Sequence, residues 1–167
     1  MTGPPASRVR RATEADIAIL ARHRMAMFRD MGKLAARHEE SLLQATAAYL
    51  REALPRGEYL AWLAEDSDAG TVIGGAGAQL RTILPRPPEG ARDLELGPEA
   101  IVLNVYVERE WRRRGVADML MRALLDELAA RRIRRIVLHA SAEGRRLYER
   151  LGFVVTNEMR LAPKEDG

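Results

Sequence analysis

The sequence predicts an α/β fold in which a mixed central sheet is flanked by helices, in the order β-α-α-β-β-β-α-β-α-β. Three observations predict it. The run Ala100–Val107 is β-branched and apolar on both faces, which marks a central strand. Strand and helix patterns then alternate from residue 100 to 156, which implies a right-handed βαβ crossover and hence parallel pairing. Earlier, two strand patterns meet at a tight turn between Glu58 and Leu84, which implies an antiparallel hairpin.

The elements follow in order. Arg8–Ala12 is a short first strand. Thr13-Glu14-Ala15-Asp16 starts a helix, with Thr13 as N-cap and Asp16 at the third helical position. Ile17, Leu20, Ala21, Phe28 and Met31 give that helix one apolar face. A second helix covers Ala35–Leu54 and is closed by Pro55. Glu58–Glu65 is a strand, Asp66–Gly70 its turn and Thr71–Leu84 the partner. Residues Pro85 to Pro98 hold four prolines and two glycines and read as a mobile loop. Val116–Arg132 is the best helix, with Val116, Met119, Leu120, Ala123, Leu124 and Leu128 as its stripe. Ile136–His139 is a buried strand and Ser141–Leu151 a helix capped by Ser141 and stopped at Gly152. Phe153–Thr156 is the last strand.

The 167 residues are 47% hydrophobic and 31% charged, the composition of one globular domain spanning the chain. The first few residues and 162–167 are expected to be flexible. A chain of this length buries roughly 70% of its unfolded surface, enough for a core without staples. Cysteine is absent, which excludes disulfides, thiolate zinc sites and a cysteine nucleophile. No metal site is expected. With neither a membrane span nor a signal-peptide core in Met1–Thr13, the expected compartment is the cytoplasm and no membrane partner is foreseen. The net charge of +3 is 27 basic minus 24 acidic residues, and Lys33 and Lys164 are the only lysines. Arginine suits bidentate pairing with phosphate or carboxylate. Acidic residues are interspersed throughout and aromatics are only 5%, so an anionic small ligand fits better than nucleic acid.

Two segments carry chemistry. In Val105-Tyr106-Val107-Glu108-Arg109-Glu110-Trp111-Arg112-Arg113-Arg114-Gly115-Val116-Ala117, a central strand ends in an Arg/Gly turn that opens directly into a helix. The first N–H groups of a helix lack internal partners and carry partial positive charge. Gly115 lets backbone approach an anion, small Ala117 stays out of its way, and Arg112, Arg113 and Arg114 add charge, which together make a phosphate cradle. The second segment runs from Leu138 to Phe153 and places Tyr148 seven residues after Ser141. By itself a buried tyrosine is usually core.

These segments resemble the GNAT superfamily of acyl-CoA-dependent N-acyltransferases. Arg112, Gly115 and Ala117 match its Arg/Gln-x-x-Gly-x-Gly/Ala pattern, while Leu147, Tyr148, Gly152 and Phe153 match its later one. The element order also agrees from Arg8 to about Leu161. Two positions depart: Ser141 stands where the family often has Asn, and Gly144 where it often has Ala. The resemblance implies a single GNAT-type domain that takes acetyl-CoA as acyl donor. Arg112 to Ala117 would cradle its phosphates, with Ser141, Gly144 and Arg145 as further contacts. A splay between the two central strands would admit the pantetheine arm, bonded to backbone at Val105 and Val107. A small-molecule or protein amine would attack directly, and Tyr148 would protonate the departing thiolate. A catalytically silent acyl-CoA-binding domain on the same fold is the alternative, and a homodimer is left open.

The general base stays open between Glu108, His139 and water. By strand alternation Glu108 shares a face with Asn104 and Tyr106 and could look into the acceptor cleft with Asn104, or be a solvated strand-end carboxylate. His139 sits between Leu138 and Ala140 on a strand expected to be buried, as a structural histidine more readily than a base. Arg24 interrupts the apolar face of the first helix. It either faces a cleft and holds an acceptor carboxylate, or it pairs with a nearby Glu or reaches to water. His23 and Arg29 flank it and are expected to be solvated. Gly74-Gly75-Ala76-Gly77 lies inside a strand and fails the context of a dinucleotide loop, so it reads as a bulge or a point of close backbone approach.

Overall fold

A computed structural model describes residues 7–162 apart from 89, 91 and 92. The expectation about flexible ends falls largely outside the described residues. The elements are β1 (Ser7–Arg11), α1 (Ile17–Asp30), α2 (Glu39–Ala53), β2 (Tyr59–Asp66), β3 (Val72–Thr82), β4 (Pro98–Val107), α3 (Val116–Ala130), β5 (Ile136–Leu138) and α4 (Arg145–Arg150). Five strands form one sheet in the order β1-β2-β3-β4-β5. The first three pairings are antiparallel and β4–β5 is parallel, so the sheet is mixed as expected.

Each face of the sheet carries its own core. On β2, Leu60 and Ala64 join α3, whereas Tyr59, Ala61 and Leu63 join α1 and α2, as alternation in a strand covered on both sides requires. Leu120, Met121, Leu124 and Leu128 of α3 are fully buried, each contributing about 1.5–3 kcal/mol of burial. Met121 replaces the expected Met119 and Ala123 in that stripe. The Thr13–Asp16 start is real: the Thr13 N–H donates to the Asp16 carboxylate over 2.8 Å, and Arg10 grips the same carboxylate with both terminal nitrogens. A short 3₁₀ turn, Glu14–Asp16, precedes α1 proper.

Two expectations fail at the far end. The helix expected over Ser141–Leu151 shortens to a turn followed by α4. The strand expected over Phe153–Thr156 does not form, and residues 153–162 have no regular structure. Its valines find no core to face: Val154 is 79% and Val155 74% exposed. Apolar content alone does not make a strand when neither a ladder nor a packed face is available.

The Gly74–Gly77 run lies in β3, and its pairing with β4 shifts register between Gly75 and Gly77. A bulge is therefore present, and the close approach is made by the chain itself: a Cβ on Gly77 would sit 2.0 Å from the Tyr59 hydroxyl. Tyr59 crosses β3 at this glycine to reach β4. Gly77→Ala is expected to lower stability by about 1–3 kcal/mol, the usual range for overpacking. Equal urea midpoints for Gly77→Ala and wild type would show that Tyr59 can move aside freely.

Candidate functional site

The site starts from one extra residue. Ala100 donates its N–H to Arg135 on the β5 side, while Glu108 donates to Ile73 on the β3 side. Both are even-numbered, so strand alternation has been inverted between them. The inversion lies where Gly75 pairs with Tyr106 and Gly77 with Leu103: Ala76 alone faces Asn104 and Val105. Asn104 takes the left-handed conformation, φ 58°, which Asn tolerates better than most residues. Before the bulge Ala100 and Val102 face the α3 core, and after it Val105 and Val107 do. The same inversion turns the backbone N–H and C=O of Val105 and Val107 away from β3.

Among the described residues those groups meet no strand. Pairing of β4 with β5 ends at Val102↔Leu138, so the last five residues of β4 border an open edge. A gap of the kind the resemblance implies thus lies beside Val105 and Val107. Part of it is filled, because the Val107 carbonyl accepts Arg112 Nε over 2.8 Å.

At the strand end the chain makes a 3₁₀ turn over Arg109–Trp111 and then enters α3. Arg113 (φ 61°) and Gly115 (φ 83°) are both left-handed. Among the described residues, no N–H from Arg113 to Asp118 has an intramolecular acceptor; the first bond of the helix is Met119 N–H to Gly115 C=O. Arg113 and Arg114 are exposed, and the Arg114 guanidinium stacks 5.4 Å from the Trp111 ring. Arg112 does not join them. Its guanidinium stacks 5.5 Å from Tyr106 and pairs with Asp30 at the end of α1. Asp30, which no sequence pattern singles out, is held below the usual carboxylate range by Arg112 and then Arg109.

Across the splay, the Ser141 hydroxyl accepts the Gly144 N–H over 3.1 Å, capping the turn that leads into α4. Gly144 leaves room for Tyr148, since a Cβ there would lie 2.9 Å from Tyr148 Cε2. Tyr148 packs edge-on to Phe153, 6.0 Å between ring centres, and shares the α3-side cluster with Val105. Burial raises its phenol above the ordinary value, so the hydroxyl stays protonated at neutral pH. It makes no hydrogen bond among the described residues. Arg145 is exposed and bound to Glu149 over 2.8 Å.

On the opposite face, the bulge puts the consecutive residues Leu103 and Asn104 into one cavity of about 320 Å³ between α1, α2 and the sheet. Arg24 enters it half-buried, donating to Asn104 Oδ1 over 2.6 Å, and Asn104 Nδ2 donates to the Tyr59 hydroxyl over 2.7 Å. The Arg24 guanidinium lies 4.8 Å from the Phe28 ring. No carboxylate among the described residues pairs with it, so the neighbouring-Glu reading of Arg24 falls away.

A model of the acetyltransferase (GNAT) family matches residues 12–153. The chain belongs to this family. Among solved structures it is similar to a GCN5-related N-acetyltransferase from Ralstonia eutropha JMP134, at 30% identity over 95% of this chain and 99% of that one, TM-score 0.81. A predicted acetyltransferase from Clostridium acetobutylicum, solved with acetyl-CoA, is 25% identical over 95% and 96%, TM-score 0.78. Aminoglycoside N-acetyltransferase AAC(6')-Iy, solved with CoA, shares the fold at 18% identity over 96% and 95%, TM-score 0.68. No curated protein matches this chain closely enough to count as a relative.

Within this GNAT domain the candidate bases fall in different places. Glu108 is half-buried beside Tyr106 and is not simply solvated, but it does not line the cavity that holds Asn104. It pairs with Arg22 and accepts the Tyr106 hydroxyl over 3.2 Å. His139 lies beyond β5, 69% exposed at its side chain and 3.7 Å from Glu158, so its expected burial is corrected. The strand stops one residue before it. His23 is the reverse case. Expected in solvent, it is 1% exposed, 5.0 Å from the Tyr106 ring, with neither ring nitrogen hydrogen-bonded. The buried face of α1 is rotated toward His23, Met25 and Ala26, while Met31 lies at the rim. Among the described residues no cluster of three His, Cys, Asp or Glu could hold a metal, and no helix is long and apolar enough to cross a membrane.

Burial, with Arg22 nearby, pushes the His23 imidazole down to about 4 despite Glu108. An unfolded histidine titrates near 6.5. As pH falls through this window the unfolded chain binds a proton that the folded chain refuses, so stability falls with it. His23 is expected to contribute about 2 kcal/mol of stability loss between pH 7 and pH 5, and His23→Phe should remove that share. Parallel pH profiles of the urea midpoint for the two proteins would count against it.

Proposed function

We propose that this GNAT domain transfers the acetyl group of acetyl-CoA directly to the amine of a small acceptor, with both substrates held on β4. The observation that carries the reading is the bulge at Asn104. It presents the Val105 and Val107 backbone to the splay and Asn104 to the cavity on the other face. A donor thioester and an acceptor amine would then meet across one strand, which lowers the entropy cost of attack.

The N–H groups from Arg113 to Asp118, unpartnered among the described residues, support phosphate binding, with Gly115, Val116 and Ala117 at the helix start and Arg113 and Arg114 as exposed cations. Arg112 serves a different end. Committed to Val107 and Asp30, it braces the turn against α1. Ser141, Gly144 and Arg145 would line the other wall, Gly144 by leaving space. The Val105 N–H would polarise the thioester carbonyl, an effect of roughly 3–4 kcal/mol per donor. Glu108, directly or through water, would take the acceptor's proton. The amine lone pair forms the C–N bond as the C–S bond breaks, and the Tyr148 phenol gives its proton to the leaving sulfur, regaining one from solvent.

Two measurements test this. Acetyl-CoA should raise the melting temperature, because it binds only the folded state. Gly115→Glu places a negative, β-carbon-bearing residue at φ 83° and should abolish that rise relative to its own ligand-free value; a rise of unchanged size would refute the phosphate assignment. Tyr148→Phe keeps the ring against Gly144 but deletes the proton, so kcat should fall by about 10²-fold or more while acetyl-CoA still binds. Wild-type kcat where chemistry limits turnover would leave Tyr148 as a packing residue.

A further inference from the structure

Resting on the acetyltransferase reading, we infer that the acceptor is an amine that also bears a carboxylate, on a compact apolar or aromatic body. The cavity behind Asn104 states this chemistry through what lines it. Among the described residues its one charged side chain is Arg24, and no acidic residue lines it. Arg24 is half-buried on the otherwise apolar face of α1, held by the neutral Asn104 and stacked near Phe28. A guanidinium in that setting keeps unused donors, and a carboxylate is the partner its fork fits. Tyr59 points the same way. It accepts from Asn104, so its own proton is free to be donated.

Leu42, Leu50 and Leu103 make much of the remaining wall apolar, with Thr46, Tyr49 and Gln79 set among them. At about 320 Å³ the space is at the low end of small-molecule pockets, suited to an amino-acid-sized guest. Polycationic acceptors such as polyamines or aminoglycosides would meet Arg24 and no anion, which disfavours them by like-charge repulsion and unpaired ammonium groups.

The test uses the full chain with acetyl-CoA and matched acceptors differing only in the carboxylate: L-phenylalanine against phenethylamine, and 6-aminohexanoate against hexylamine, with kanamycin as the polycation. Thiol release gives kcat/KM for each. In at least one pair the carboxylate-bearing member should be better by tenfold or more. Arg24→Gln should collapse that ratio toward unity by raising the acceptor KM at least fivefold more than the acetyl-CoA KM, and Arg24→Lys should recover part of it. Equal or better turnover of the carboxylate-free amines or of kanamycin would overturn the inference and leave acetyl transfer standing, as would a ratio that survives Arg24→Gln. Calorimetry with N-acetyl-L-phenylalanine in the presence of CoA separates the two readings. Arg24-dependent binding without turnover of any amine would support the carboxylate pocket and refute transfer; absence of both overturns the pocket.

Discussion

A single inserted residue in β4 organises the molecule. Without Asn104 in its left-handed conformation, β4 would keep one alternation from Pro98 to Val107, and the Val105 and Val107 amides would turn toward β3. A non-glycine residue in that region costs on the order of 1–3 kcal/mol, and here the surroundings over-determine it. Asn104 is held by Arg24 and Tyr59, and Tyr59 reaches it because Gly77 has no side chain. Four residues on four elements therefore hold one backbone angle in place.

Arginine provides much of the remaining wiring. Glu99 is buried and bound by Arg81 and Arg135, joining β3, β4 and the entry to β5. Glu65 is buried between Arg8 and Arg10, and Arg10 runs on to Asp16. Burial pushes the Glu99 carboxyl up, yet the two guanidiniums bring it below its ordinary value. Removing one member of such a cluster strands the others, so these residues hold the frame rigid. Arg24, Arg113 and Arg114 lack acidic partners among the described residues, which is what the proposed acceptor cavity and phosphate cradle draw on.

Much of this was legible in the chain. The turn Arg112–Gly115 and the helix after it follow from local rules: an N-terminus with a glycine before it needs no tertiary information. Tyr148 was legible only through the resemblance that Leu147, Gly152 and Phe153 carry, and Arg24 through its mismatch with the face around it. What escaped depends on pairing. No local pattern marks Asn104 as a bulge, because the inversion exists only relative to β3. His23 escaped for a related reason, since the rotation of α1 is set by Tyr106 and Gly75 beneath it. Arg112 looked identical to Arg113 and Arg114 until Asp30, 82 residues away, claimed it. The missing last strand shows the opposite error, an apolar pattern with nothing to pair against.

The brevity of β5 has a mechanical consequence. Three register pairs hold it to β4, and the Glu99 clamp with Arg81 and Arg135 sits at the start of that pairing. The segment from Ile136 through α4 is thus anchored at one end and unladdered at the other, like a lever on a pivot. A small rotation about the clamp moves Leu138 little and Tyr148 most. The width of the gap beside Val105 and the place of the Tyr148 phenol are then set by one degree of freedom, so anything that widened the gap would carry the phenol away from β4.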